Sequence, residues 1–104
     1  MNLKKYIKDN LTGDFSINEI AEHINISVYY LSHLFKSVTG ITILEYRNEL
    51  RLTEAKLLLI QTDIDITNIA EQTGFGSAAY FTSLFSKSEK ISPSEYRKYH
   101  RGKH

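Results

Sequence analysis

Residues 17 to 47, INEIAEHINISVYYLSHLFKSVTGITILEYR, return at 66 to 97 as ITNIAEQTGFGSAAYFTSLFSKSEKISPSEYR, with one extra residue, Gly76, in the second copy. Of the 31 aligned pairs 12 are identical, among them Ile17/Ile66, Ile20/Ile69, Ala21/Ala70, Tyr30/Tyr80, Leu34/Leu84, Phe35/Phe85 and Arg47/Arg97. Stacked-repeat architectures need three or more copies to bury a continuous core. Two copies with a segment between them point instead to a pair of modules.

Each copy carries its own helix punctuation. Ser16-Ile-Asn-Glu19 reads as a capping box, in which the serine oxygen accepts from an orphan amide and the glutamate reaches back to the cap. Asp65 holds the matching position in the second copy, and Ile66, Ile69 and Ala70 repeat the inward face of Ile17, Ile20 and Ala21. After about two turns come Asn25 and Gly74, the residue types that most readily enter the left-handed conformation, so a sharp turn is expected at each. Ser27 and Ser77 then cap a further helix. Its apolar residues Leu31, Leu34, Phe35 and Val38, matched by Phe81, Leu84 and Phe85, fall at the spacing of one buried face.

The rest of the chain fits around these modules. An opening helix is expected from about Asn2 to Leu11, burying Leu3, Tyr6, Ile7 and Leu11, with Phe15 continuing the core. Thr42-Ile-Leu-Glu45 is another capping box and starts a long helix to roughly Ile60. Ser92-Pro-Ser-Glu95 starts the last helix, with Pro93 at the first helical position, where its missing amide costs nothing. No segment alternates with period two, so the expected class is all-α: about seven helices, with two helix-turn-helix modules at 1–41 and 62–104 joined by a connecting helix at 42–61. The four apolar residues from Leu57 to Ile60 exceed what one helix face buries and are expected to pack against both modules; a sensor domain or another subunit meeting Leu57 or Leu59 is the alternative.

Composition sets the outer limits. Of 104 residues, 41% are hydrophobic and 24% charged, which is ordinary for a folded domain, and the absence of cysteine excludes a disulfide framework or a thiolate zinc site. No apolar run approaches a membrane span and no signal-peptide pattern follows Met1, so no membrane association is read and a cytoplasmic location is expected. The formal net charge of +1 does not by itself announce a nucleic-acid partner. Its distribution says more, because Lys87, Lys90, Arg97, Lys98, Arg101 and Lys103 crowd the end of the chain.

A short helix, a tight turn and a second helix with one exposed face is the geometry that lets a helix enter the major groove. In both length and order the chain resembles the AraC/XylS family of bacterial transcription regulators. The residues that carry this are 20 to 40 (IAEHINISVYYLSHLFKSVTG), Arg51-Leu-Thr-Glu-Ala55 with Leu58-Leu59, Ile69-Ala70-Glu71 before Gly74-Phe75, Tyr80-Phe81 with Leu84-Phe85, and Pro93-Ser-Glu-Tyr-Arg97. The resemblance implies two recognition helices that enter neighbouring major-groove segments of double-stranded promoter DNA, about one turn or ~34 Å apart. It also implies RNA polymerase as a partner and a C-terminal output domain of a longer regulator, whose sensor or dimerisation domain lies outside this chain. A stand-alone regulator is the alternative on this last point.

The helical wheel names the contacts. Tyr29, Ser32, His33 and Lys36 oppose the buried face of the first recognition helix and are the base-reading candidates, with His33 standing where the family often has arginine. The corresponding outward positions of the second, Ala78, Ala79, Ser83 and Ser86, offer almost no long polar side chain, although the family often places glutamine or arginine at some of them. An unequal pair is expected: Ala78, Ala79 and Ser83 read methyl groups and shape, and module one supplies most discrimination. Phosphate contacts are expected from Ser27, Tyr30, Ser77, Tyr80, Lys87, Lys90 and Arg97. Lys90 replaces the glycine found at Gly40, so either it keeps a left-handed turn at a cost of ~1 to 2 kcal/mol, offset by a phosphate, or the turn differs. Catalysis is disfavoured, since no glycine-rich phosphate loop, nucleophile motif or cofactor signature appears and His100 and His104 lack evident partners. The remaining rival is a helical adaptor that binds RNA polymerase or another protein without reading DNA.

Overall fold

The computed structural model describes Lys5, Asp9 and residues 17 to 102. Among these residues there are six helices and no strand: α1 (Ile17–His23), α2 (Val28–Thr39), α3 (Ile43–Gln61), α4 (Ile66–Gln72), α5 (Ala78–Glu89) and α6 (Pro93–Arg101). Of the expected opening helix only Lys5 and Asp9 are described, and both are helical. The remainder of that helix, the core role of Phe15 and the capping box at Ser16 lie outside the described residues.

The other caps form as their residue types dictate. Asp65 accepts from the Asn68 amide at 2.8 Å, Thr42 from the Glu45 amide at 3.0 Å and Ser92 from the Glu95 amide at 3.1 Å. Thr42 and Ser92 complete their boxes, each backbone amide donating to the glutamate at the third helical position, at 3.3 and 3.1 Å. The side chain of Glu95 is thereby held in its charged form: the Ser92 amide and hydroxyl stabilise the carboxylate and lower its pKa.

The chain divides into two compact units, Met1–Leu50 and Arg51–His104, and the division falls inside α3 rather than at its ends. Residues 43–50 of α3 fall in the first unit and 51–61 in the second. Unit one closes on Ile20, Ala21, Leu31, Phe35 and Ile43, with Tyr46 and Leu50 packed against them. Unit two closes on Leu52, Ala55, Leu59, Ile69, Ala70, Phe75, Phe81 and Phe85. Its aromatic rings form a chain from Phe75 through Phe81 and Phe85 to Tyr96, with successive centroids 5.1, 5.6 and 5.3 Å apart.

Three residues expected inside are outside. Leu34 and Val38 are 43% and 75% exposed, while Leu31 and Phe35 carry the buried face of α2 alone. Leu57 is also exposed, whereas Leu59 is fully buried and Leu58 packs against the second core. Of the four-residue apolar run, Leu58 and Leu59 thus serve the second core, and Leu59, fully buried, is not available to a sensor domain. Helical spacing identifies the centre of a stripe but does not say how wide a neighbour covers it.

Candidate nucleic-acid interface

The turns that aim the second helix of each unit are built by the same hydrogen bonds. After α1, the Asn25 amide donates to the Glu22 carbonyl at 3.1 Å and the Ile26 amide to the Ala21 carbonyl at 3.0 Å. After α4, Gly74 donates to Glu71 at 3.1 Å and Phe75 to Ala70 at 2.9 Å. This is the paired bonding of a helix ended by a left-handed residue, and Asn25 and Gly74 sit at φ values of 60° and 88°. Ile26 and Phe75 then turn inward against their respective cores, which sets the direction of the chain into α2 and α5.

Gly74 has a second reason to be glycine. A Cβ there would lie 2.9 Å from Nε of Arg51, a side chain that is itself buried.

Ser27 and Ser77 cap α2 and α5 by accepting from the Tyr30 and Tyr80 amides, at 3.0 and 3.2 Å. Each hydroxyl still has its own hydrogen to donate outward. Tyr30 and Tyr80, one turn further on, are both exposed.

Along α2 the outward face carries Tyr29, which is 74% exposed, with His33 and Lys36 also exposed and Ser32 half-buried. The Tyr29 and His33 rings stack one helical turn apart, with centroids 4.2 Å apart and planes tilted by 40°. Ser32, His33 and Lys36 also border a groove of about 320 Å³ whose other walls are Ile17, Thr42, Ile43 and Leu44. The part played by the start of α3 in this groove has no signature in the sequence, since Thr42 to Leu44 read only as a helix start.

The counterpart face of α5 is smooth. Ala79 and Ser83 are exposed and Ala78 is half-buried, so no long polar side chain projects from them. Lys87 and Lys90 are exposed at the helix end. Lys90 does keep the left-handed turn, at φ 70° against 83° for Gly40, and its ammonium donates to the Lys87 carbonyl at 3.2 Å.

Arg97 is employed elsewhere. Its Nε donates to the Leu59 carbonyl at 2.9 Å and its Nη2 to the carbonyls of Thr62 and Ile64, at 3.1 and 2.6 Å. These are the unpaired acceptors at the end of α3 and the strap after it, so the expected phosphate contact gives way to a structural one. Arg101 adds a bond to Thr62 at 3.2 Å and an ion pair with Asp63 at 2.8 Å.

A helix-turn-helix made twice, each with a capped, outward-facing second helix, is thus the repeated element. A family model described as a helix-turn-helix domain matches residues 20 to 99. The arabinose operon regulatory protein of Escherichia coli (strain K12) is 39% identical over 94 residues, covering 89% of this chain and 32% of that protein. The chain belongs to the AraC-type helix-turn-helix family.

Solved structures share the fold. The C-terminal domain of AraT, a response regulator from Geobacillus stearothermophilus, has a TM-score of 0.86 at 32% identity, over 91% of this chain and 79% of that one. The DNA-binding domain of AdpA, solved in complex with a target DNA, shares the fold with a TM-score of 0.89 at 24% identity, over 96% of this chain and 90% of that one. The chain spans about a third of the length of the curated AraC-type relatives it matches, 32%, 34% and 31% for three of them. Among the described residues no cluster of histidine and carboxylate side chains suits a metal ion, and no helix is long and apolar enough to cross a membrane.

Proposed function

We propose that this domain recognises double-stranded promoter DNA through α2 and α5, and that it is the output domain of a longer bacterial regulator. The observation that carries this reading is the double helix-turn-helix, whose two second helices each leave one polar or small-residue face uncovered beside a capping serine. That AdpA binds a target DNA with the same fold supports it.

On this reading Tyr29, Ser32, His33 and Lys36 meet base edges. Ala78, Ala79 and Ser83 meet methyl groups and follow groove shape, so unit two orients the domain more than it discriminates. Ser27, Tyr30, Ser77, Tyr80, Lys87 and Lys90 hold phosphates, and Arg97 is left out because its guanidinium bonds the end of α3. RNA polymerase is the further partner this class of output domain addresses, in the cytoplasm, and a sensor or dimerisation domain belongs to the rest of the regulator.

Binding to random-sequence duplex at rising salt tests the reading. Neutralising about six phosphates lowers the affinity roughly a thousandfold between 50 and 200 mM salt. A protein-binding adaptor shows no such binding at any salt.

A further inference from the structure

The base-reading residues of α2 are not four independent contacts. We infer that Tyr29 and His33 form one coupled element in which the tyrosine ring positions the imidazole, and that the element reads guanine. This rests on the DNA-binding reading above and adds to it a division of labour and a base.

Tyr96 and His100 make the same kind of contact, 4.1 Å apart at a 40° tilt, but there the tyrosine packs against the second core, whereas the Tyr29/His33 pair lies on the outward face of α2. The Tyr29 and His33 ring centroids lie 4.2 Å apart at the i, i+4 spacing, closer than the phenylalanine ring contacts inside the second core. Both rings are exposed, so the stack is not a by-product of core packing. A histidine alone on a helix surface samples several rotamers. A ring laid against one face removes those in which the imidazole swings across it, and leaves the opposite face and the N–H edge for the groove. Organising a contact before binding lowers the entropy lost on forming it.

The chemistry then selects the base. Whatever its protonation state, an imidazole has at least one N–H to donate. In the major groove guanine presents two adjacent acceptors, O6 and N7, whereas cytosine presents only a donor. Adenine sets one acceptor beside a donor, and thymine sets one beside a methyl group. A single N–H held in a fixed direction therefore gains most at guanine. Tyr29 holds His33 through its ring and not its hydroxyl, so removal of the hydroxyl leaves the element intact.

The internal repeat supplies a control. The positions of Tyr29 and His33 are occupied by Ala79 and Ser83 in the second unit, which folds the same turn and the same capped helix without them. The fold does not require the pair.

The test uses the whole chain. A preferred duplex is first selected from a random library, and affinities are then measured for that duplex and its single-base variants. Proteins compared are wild type, Tyr29→Phe, Tyr29→Ala, His33→Ala and the Tyr29→Ala, His33→Ala double variant, with melting temperatures recorded to exclude misfolding. His33→Ala is expected to abolish the preference for guanine at one base pair. Tyr29→Ala should reduce the preference at that same pair about five- to tenfold, Tyr29→Phe should retain it, and the double variant should be no worse there than His33→Ala alone. The inference is overturned if the two alanine variants act additively at different base pairs, or if the preference lost is not for guanine. Failure of the wild type to select any duplex would instead overturn the DNA-binding reading itself.

Discussion

Arg97 on the last helix reaches back 38 residues to donate its Nε hydrogen to the carbonyl of Leu59, and its Nη2 serves Thr62 and Ile64 beyond it. One side chain thus closes the C-terminal end of α3 and ties α6 to it. Replacing it with alanine takes the guanidinium donor from the part-buried Leu59 and Ile64 carbonyls, while Thr62 keeps its bond from Arg101. Arg97→Ala should lower unfolding stability by about 2 kcal/mol in urea titrations. The affinity of the folded fraction for DNA should be unchanged, which a titration corrected for unfolded protein checks.

Asn25 and Gly74 occupy the same left-handed position but tolerate change differently. Asn25 needs only a residue at ease with positive φ, so Asn25→Gly should shift stability by no more than about 0.5 kcal/mol. Gly74→Ala adds a Cβ at positive φ and sets it 2.9 Å from Nε of the buried Arg51, so it should cost about 2 kcal/mol or more. Thermal melts of both variants give the comparison.

Lys90 carries strain that Gly40 avoids. Lys90→Gly should raise stability by about 1 kcal/mol, because the left-handed penalty of a side chain disappears. On the DNA-binding reading the same change should weaken binding and reduce the salt dependence by about one phosphate. Stability gained without any loss of binding would remove Lys90 from the phosphate set.

Acid should loosen the start of α6. The Glu95 pKa is lowered in the folded chain by the Ser92 amide and hydroxyl, so its contribution is present above the unfolded carboxylate value. It is lost as the pH falls through the depressed folded value. The wild-type melting temperature should therefore fall more steeply than that of Glu95→Gln as the pH is lowered from neutral through the carboxylate range. Parallel curves for the two proteins would contradict this.

Much of this architecture is legible in the residues because it is set locally. A capping serine, threonine or aspartate acts on an amide three residues away, and Asn25 and Gly74 declare their turns by residue type. The repeat then doubles every such signal. The opaque features depend on distant neighbours. Arg97 looks like a surface cation in a basic tail until the end of α3 is brought to it, and Leu34 looks like core because its spacing puts it beside Leu31 and Phe35. The outward face of α2 is readable from the helical wheel, but the contact between the Tyr29 and His33 rings is not, since spacing permits a stack without requiring one.

Selection of bound sequences from a random DNA library, followed by footprinting of the winners, tests most directly whether α2 and α5 read one duplex together. The expected result is a site of two segments about one helical turn apart, with one segment sharply specified and lost on alanine substitution of His33 or Lys36, and the other loosely specified. A site specified equally in both segments would contradict the unequal pair. No enrichment at all, with binding to duplex insensitive to salt, would contradict the promoter-reading account itself.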